Sequence, residues 1–318
     1  MLKDTFFKKR NGQLPIKKAA GPAAAALRRL RTFLDTSEPE LVFFLVNTWR
    51  TQGRAITYKE LREAIIAGYV DQKLIEEWQQ DYAKFVKAYL QPAWRRAMLA
   101  ANQELARKYP DWNFDPFGDG ARAWVEQRGA AFVTNSTTAQ IEGLQAVVER
   151  AAVLEDLNVD QLARAIRPMV GLTKQQTIAN FNYYDKLIKG GVSEKKAQDL
   201  AARYAARQHR YRGYNIARTE LAFAYNKGAD EGIRQAQAAG YMGEVVKIWS
   251  TADDERTCPY CGSLDGKRIA MDDEFDFNTR LAYTNPGIRR TPPAHPSCRC
   301  AVIYEEVAPP SQNNSEIV

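Results

Sequence analysis

Apolar residues recur at helical steps over most of the chain. Leu61, Ile65 and Tyr69, then Leu74, Trp78, Tyr82, Phe85 and Tyr89, follow one another at three, four and five positions, a spacing that keeps side chains near one helix face. Such an aromatic stripe resembles a platform for stacking bases, but its periodicity assigns it to a helix–helix core. Helix starts are marked by a short polar residue with Glu or Gln three positions later: Ser37 with Glu40 (and Pro39 between), Thr57 with Glu60, Asn158 with Gln161, and Thr173 with Gln176. There the first side chain accepts from an orphan backbone N–H while the other reaches back. Residues 109–120, with two Pro and two Gly, predict a loop, and Gly190-Gly191 a second break. Residues 193–240 read as one long helical stretch, dense in Ala and therefore suited to the inside of a bundle. It carries Arg203, Arg207, Arg210, Arg212 and Arg218. Some of these can grip phosphates; most read as a solvated face with i,i+4 partners.

After Gly240 the period changes. Residues 245–249, 267–271 and 301–304 read as strands, separated by loops, prolines and every cysteine of the chain. The expected fold is mainly α-helical with a small C-terminal α+β unit, stapled by zinc. The expected organisation is a basic flexible arm (1–34), turning helical at 23–34, an N-terminal helical region (35–160), a C-terminal domain (161–307; helical to 240, Cys/His α+β from 241) and a disordered tail (308–318).

The chain has 318 residues and a net charge of +7. Residues 1–34 hold nine basic residues against one acid, a net +8; the other 284 hold 36 against 37, a net −1. The basicity thus belongs to the arm, where Lys8, Lys9, Arg10, Lys17, Lys18, Arg28, Arg29 and Arg31 are candidates for a polyanion such as DNA or for an acidic protein surface; a solvated tail without a target is the competing reading. The longest apolar run, residues 41–46, is far short of the roughly 20 needed to span a bilayer. No secretory pattern opens the chain, so synthesis in a cytoplasm and no membrane partner are expected.

The four cysteines form Cys258-Pro-Tyr-Cys261 and His295-Pro-Ser-Cys298-Arg-Cys300. A Cys-x-x-Cys turn places two sulfurs on one side of a tight loop, able to meet one tetrahedral ion. A closed structural zinc site needs four donors. Cys258, Cys261, His295, Cys298 and Cys300 offer five, so one is redundant. Disulfides or free thiols compete with this reading; a redox pair fits least, because no strand–helix context of the thioredoxin kind surrounds it. Asp253, Asp254 and Glu255 precede the first pair and suit a turn better than a general base. With only two histidines, His209 and His295, the chain lacks the donors of a histidine-rich nuclease, and no catalytic residue is expected.

Three blocks carry a resemblance. Residues 214–220 (Tyr-Asn-Ile-Ala-Arg-Thr-Glu) and 224–228 (Ala-Tyr-Asn-Lys-Gly) resemble the signature helix of Mu F-like minor head proteins of phages. Residues 247–266, from Lys247 through Cys258 and Cys261 to Leu264-Asp265-Gly266, are the second block, and residues 292–300, with His295, Cys298 and Cys300, the third. All three stand in the family's order, and the resemblance covers roughly residues 160–305. It implies a minor capsid protein acting in head morphogenesis, with the portal protein, the major capsid or scaffold protein and packaged double-stranded DNA as partners. The place implied is the virion, inside the head near the portal, after assembly in the host cytoplasm. The competing expectation is a DNA-binding protein or metal-dependent enzyme carried in the virion. Within the signature, Arg218, Thr219, Glu220, Asn226 and Asp253 are expected to make intramolecular contacts that dock the helix on the zinc-bearing unit.

Overall fold

The computed structural model describes residues 21–151, 159–252, 254–276 and 290–308. The expectations on Lys8, Lys9, Arg10, Lys17, Lys18, Asn158 and Asp253, and on the tail beyond Ala308, lie outside these residues. Helix follows helix to Ala238: α1 (Pro22–Ala55), α2 (Tyr58–Ala67), α3 (Gln72–Phe85), a π turn (Val86–Leu90), α4 (Gln91–Ala101), α5 (Gln103–Lys108), α6 (Asp119–Ala151), α7 (Val159–Ile166), a 3-10 turn (Arg167–Met169), α8 (Lys174–Lys189) and α9 (Glu194–Ala238). Then come β1 (Glu244–Ser250), a single helical turn α10 (Pro259–Gly262), β2 (Arg268–Ala270) and β3 (Ala301–Ala308), in an antiparallel sheet of order β2-β1-β3. The mainly helical body with a small C-terminal sheet is the class the sequence predicts.

Two of the expected caps form. Thr57 accepts from the Glu60 amide while Glu60 takes the Thr57 N–H, and Thr173 and Gln176 do the same. The start expected at Ser37 does not exist, because α1 runs through Pro39. Interior proline costs about 3 kcal/mol, but Leu27, Leu30, Leu34, Leu41, Leu45 and Trp49 make one buried stripe across that point. Glu38, next to the proline, is buried and accepts from Arg218 Nε. Packing on both sides of Pro39 outweighs the local signal. For the same reason Arg28, Arg29 and Arg31 belong to an ordered helix rather than a free arm. Arg29 lies 3.9 Å from Glu104, and Arg31 3.6 Å from Asp35. The π turn has a local cause too: Gln91 N–H reaches Val86 O, just before Pro92, whose ring has no N–H to give.

Of the aromatic stripe, Trp78, Tyr82 and Phe85 are buried, whereas Tyr69 is 62% exposed, because α2 stops at Gly68 in the left-handed conformation. Tyr82 links two elements: it accepts from Trp49 Nε1 at 2.9 Å and donates to Gln140 Oε1 at 2.7 Å. The long helix α9 spans about 68 Å. Around residues 217–233 it is buried on nearly every side, with α1, α4, α6 and the sheet packed about it. The boundaries expected at 34/35 and 160/161 therefore do not separate cores: Leu27, Trp94, Leu221 and Val245 share one apolar cluster. Ile56, Trp78, Val147 and Phe181 build a second between α2, α3, α6, α7 and α8.

His209 of α9 is buried against α1, its ring 5.5 Å from Trp49. Val170 O can only accept, so His209 Nε2 carries the proton of their 2.8 Å contact. Burial first, with the nearby Arg212 and Arg50 charges, pushes the imidazole down to about 4. The unfolded chain then binds the proton before the folded one does, so stability is complete above about pH 6.5 and falls as pH drops towards 4, by about 3 kcal/mol. His209→Gln, which keeps a donor for Val170 O and cannot titrate, is expected to flatten this part of the pH dependence of urea unfolding. An unchanged slope between pH 6.5 and 4 overturns the assignment.

Candidate metal centre

The five donors come from three places. Cys258 precedes α10 and Cys261 lies within it; the Cys258 Sγ accepts from the Cys261 amide at 3.4 Å, and Gly262 N–H closes the turn on Cys258 O. His295 and Cys298 arrive on the loop before β3, and Cys300 abuts the first strand residue. They form two overlapping triads, Cys258–Cys261–His295 and Cys261–Cys298–Cys300, with donor atoms in each within 4.8 Å of one another. Cys261 belongs to both.

The distances suit an ion. In a tetrahedral zinc site with Zn–S about 2.3 Å and Zn–N about 2.0 Å, donors stand roughly 3.5–3.8 Å apart. Cys261 Sγ lies 3.7 Å from Cys298 Sγ and 3.5 Å from His295 Nε2, while Cys258 Sγ to His295 Nε2 is closer, at 3.1 Å. An S–S bond measures about 2.05 Å, so these are free thiols and not the disulfides of the competing reading. Pro296 O fixes the ring: it accepts at 2.9 Å from His295 Nδ1, which leaves the Nε2 lone pair aimed at the sulfurs. The thiols disagree on charge. Contacts from Cys261 and Cys300 hold Cys298 well below the ordinary thiol range, and the Cys298 and Cys300 contacts push Cys261 above it. A divalent cation removes that conflict by accepting several thiolates at once.

The sequence missed what holds the loops in place. Arg299, between Cys298 and Cys300, makes a bidentate pair with Asp254 at 2.7 and 2.5 Å. It thereby ties the segment before Cys258 to the second cysteine pair. Asp254 also accepts from Arg256 N, and the Arg299 guanidinium holds its carboxyl below the usual range. The opposite charges flanking the two cysteine pairs are the signal that could have found it. Asp265 Oδ1 accepts from Thr251 N at 2.7 Å, Lys267 N–H closes on Leu264 O and Gly266 takes φ +74°, which accounts for Leu264-Asp265-Gly266 as the tight turn leading into β2. Beneath lies a small core of Trp249, Leu264, Phe275 and Val302, with Trp249 edge-on to Phe275 at 5.1 Å.

The docking expected of the signature helix is half right. Asn215, Thr219 and Asn226, four and seven residues apart, make one stripe of α9 towards the cluster. Thr219 Oγ1 accepts from Ser297 N at 3.0 Å, Ser297 Oγ meets Asn215 Oδ1 at 3.1 Å, and Asn226 clasps β3 by giving to Cys300 O and accepting from Val302 N. Arg218 and Glu220 point elsewhere. Arg218 binds Glu38 and Asp35 of α1, and Glu220 binds Arg128 of α6. A helix surrounded on all sides presents adjacent residues to different neighbours, so one run of motif residues cannot share one task. Another residue missed is Lys247, fully buried in β1 with Nζ donating to Asp273 O at 2.9 Å; burial lowers its pKa.

Among the described residues, no helix is long and apolar enough to cross a membrane. No curated protein and no solved structure matches the chain. A family model does match, that of the Phage Mu protein F like proteins, over residues 144–303. That span is 160 of the chain's 318 residues and takes in α8, α9, β1, β2, the start of β3 and all five donors, so the chain belongs to the Phage Mu protein F like family.

Proposed function

We propose that this protein is a structural minor component of a phage head, assembled with the portal protein and the major capsid or scaffold protein, and without catalysis of its own. The family match over residues 144–303 carries the reading, since it joins the signature helix and the metal cluster in one unit of a head-morphogenesis family. The ion is zinc. Three thiolates with one imidazole, or four thiolates, select it over the hard cations, and a donor set this rich closes the coordination sphere rather than leaving a place for water. Asp254, a carboxylate just before the first cysteine pair, is already engaged by Arg299. Packaging or ejection of DNA is the stage served, from a position inside the head near the portal after assembly in the host cytoplasm.

The test is genetic. A phage lacking this gene is expected to yield at least tenfold fewer infectious particles. Low DNA content would mark a role in packaging, and normal content with failed infection a role in ejection. Infectious, DNA-filled particles at full yield would overturn the proposal, as would finding the chain in hundreds of copies in the shell.

A further inference from the structure

A cleft of about 380 Å³ opens between α1, the 3-10 turn and α9. Its floor is apolar, with Trp49 and Val170 at the bottom, and its rim carries Arg50, Arg54, Arg167 and Arg210; among the described residues no Asp or Glu lines it. The sequence explains the imbalance: residues 41–59 hold no acid, and residues 200–219 hold five Arg and no acid. A further guanidinium lies below, that of the buried Arg212, 5.0 Å from the Trp49 ring.

These arginines are not alike. Arg167 is committed to the fold: it donates to Gly53 O and Arg54 O at the end of α1 and lies over the Tyr58 ring. Arg50, Arg54 and Arg210 are exposed and make no ion pair with a described residue. Elsewhere on the surface, Arg31, Arg62, Arg96 and Arg164 each have a carboxylate within 4 Å. Arg203 and Arg207 continue the unpaired stripe along α9 at helical spacing, both exposed, so the basic face spans about 10 Å of helix axis. Like charges gathered over an apolar floor repel at low dielectric, and an anion is what relieves them. The planar guanidinium fork matches phosphate oxygens two at a time. Burial depresses the imidazole of His209 in the cleft wall, and the Arg212 and Arg50 charges add to it.

We propose that this cleft binds the phosphodiester backbone of DNA, with Arg50, Arg54 and Arg210 as the contacts. The site is separate from the basic arm, and it stands whether or not the protein sits at the portal. Without a groove-reading element in the cleft, binding is independent of base sequence.

The test uses the full chain and a labelled 30-base-pair duplex of random sequence, followed by fluorescence anisotropy across a salt series. The Arg50→Ala/Arg54→Ala/Arg210→Ala variant is expected to bind at least tenfold more weakly at 50 mM salt. Its log–log salt slope should be shallower by roughly 2 to 3, about 0.9 for each phosphate that is no longer neutralised. The matching triple Lys variant keeps most of the slope, and Arg210→Ala alone weakens binding about threefold, so the result does not hang on one triple variant folding. Removing residues 1–20 leaves the gap between wild-type and triple variant in place. Equal binding by the triple variant, or no duplex binding by the full chain at low salt, overturns the proposal. Binding of inorganic pyrophosphate without binding of duplex overturns it too, by marking a small-anion site.

Discussion

Cys261→Ser is expected to release the loops at 251–267 and 290–300 and to abolish metal binding, while far-UV helicity stays near that of the native protein. The reason is position. Cys261 is the donor common to both triads, so its sulfur lies within reach of every other donor. Cys258→Ser, His295→Ala, Cys298→Ser and Cys300→Ser each touch one triad, and the variant whose donor lies outside the sphere leaves metal content intact, so comparing them identifies the ligands. The expected loss is large, because a structural zinc contributes about 10–16 kcal/mol of apparent binding energy that is also folding energy. The alternative support is thin: three of the seven buried residues of the small core are cysteines. The unfolding stays local, because the sheet does not depend on the ion. Val245, Met271 and Ala301 belong to the main core, and Asn226 clasps β3 from α9. Elemental analysis, Trp249 fluorescence and limited proteolysis check it. About one metal ion per chain is expected in the wild type, with new cleavage in both loops after chelation or in the variant. Wild-type resistance to protease in a metal-free Cys261→Ser chain would sink the idea.

The metal cluster is legible in the sequence because its chemistry is local: cysteine pairs three and two positions apart and a histidine three before the second pair name a donor set without a fold. The caps at Thr57 and Thr173 are legible for the same reason, since both partners lie within one helical turn. Ser37 carries an equal signal and is overruled by contacts nearly 180 residues away, where Arg218 takes Glu38. The arrangement around the cluster is hidden likewise. The opposite charges of Arg299 and Asp254 hint at a pair, but 45 residues separate them, and Asn215 looks like any polar helix residue until Ser297 meets it. Residues 245–249 read as a strand without marking Lys247 for burial, yet its side chain is fully buried with Nζ on Asp273 O. The basic stretch of α9 reads in sequence as a solvated face with partners; only the fold sets Arg210 beside Arg50 and Arg54 and shows that their partners are missing among the described residues.

Gly228, the last residue of the 224–228 block within α9, supplies the second large effect. Gly228→Val is expected to prevent α4 and α9 from seating and to cost about 3–5 kcal/mol or the native fold altogether. A Cβ at this position would stand 2.3 Å from Met98 Cα and 2.6 Å from Met98 Cβ. The first of these is backbone of α4 and cannot rotate away. Asn102 fixes the approach from the other side, giving to Gly228 O at 2.8 Å and to Met98 O at 2.9 Å. Drawing α4 back far enough for a side chain breaks the first of these bonds and leaves buried polar groups unpaired, worth about 1–3 kcal/mol. It also loosens the packing of Trp94 and Met98, both fully buried, by a further 1–3 kcal/mol or so. Even Ala is informative, because in an open helix Gly→Ala stabilises by about 1 kcal/mol; here the sign should reverse. Gly213 is the control on the same helix. Its nearest neighbour is a side-chain methyl, Val42 Cγ1 at 3.3 Å, which can yield a few tenths of an ångström, so Gly213→Ala should fall within about 1 kcal/mol of wild type. Urea unfolding of the two Ala variants decides the matter: a Gly228→Ala chain at least as stable as wild type would show that the two helices do not touch there.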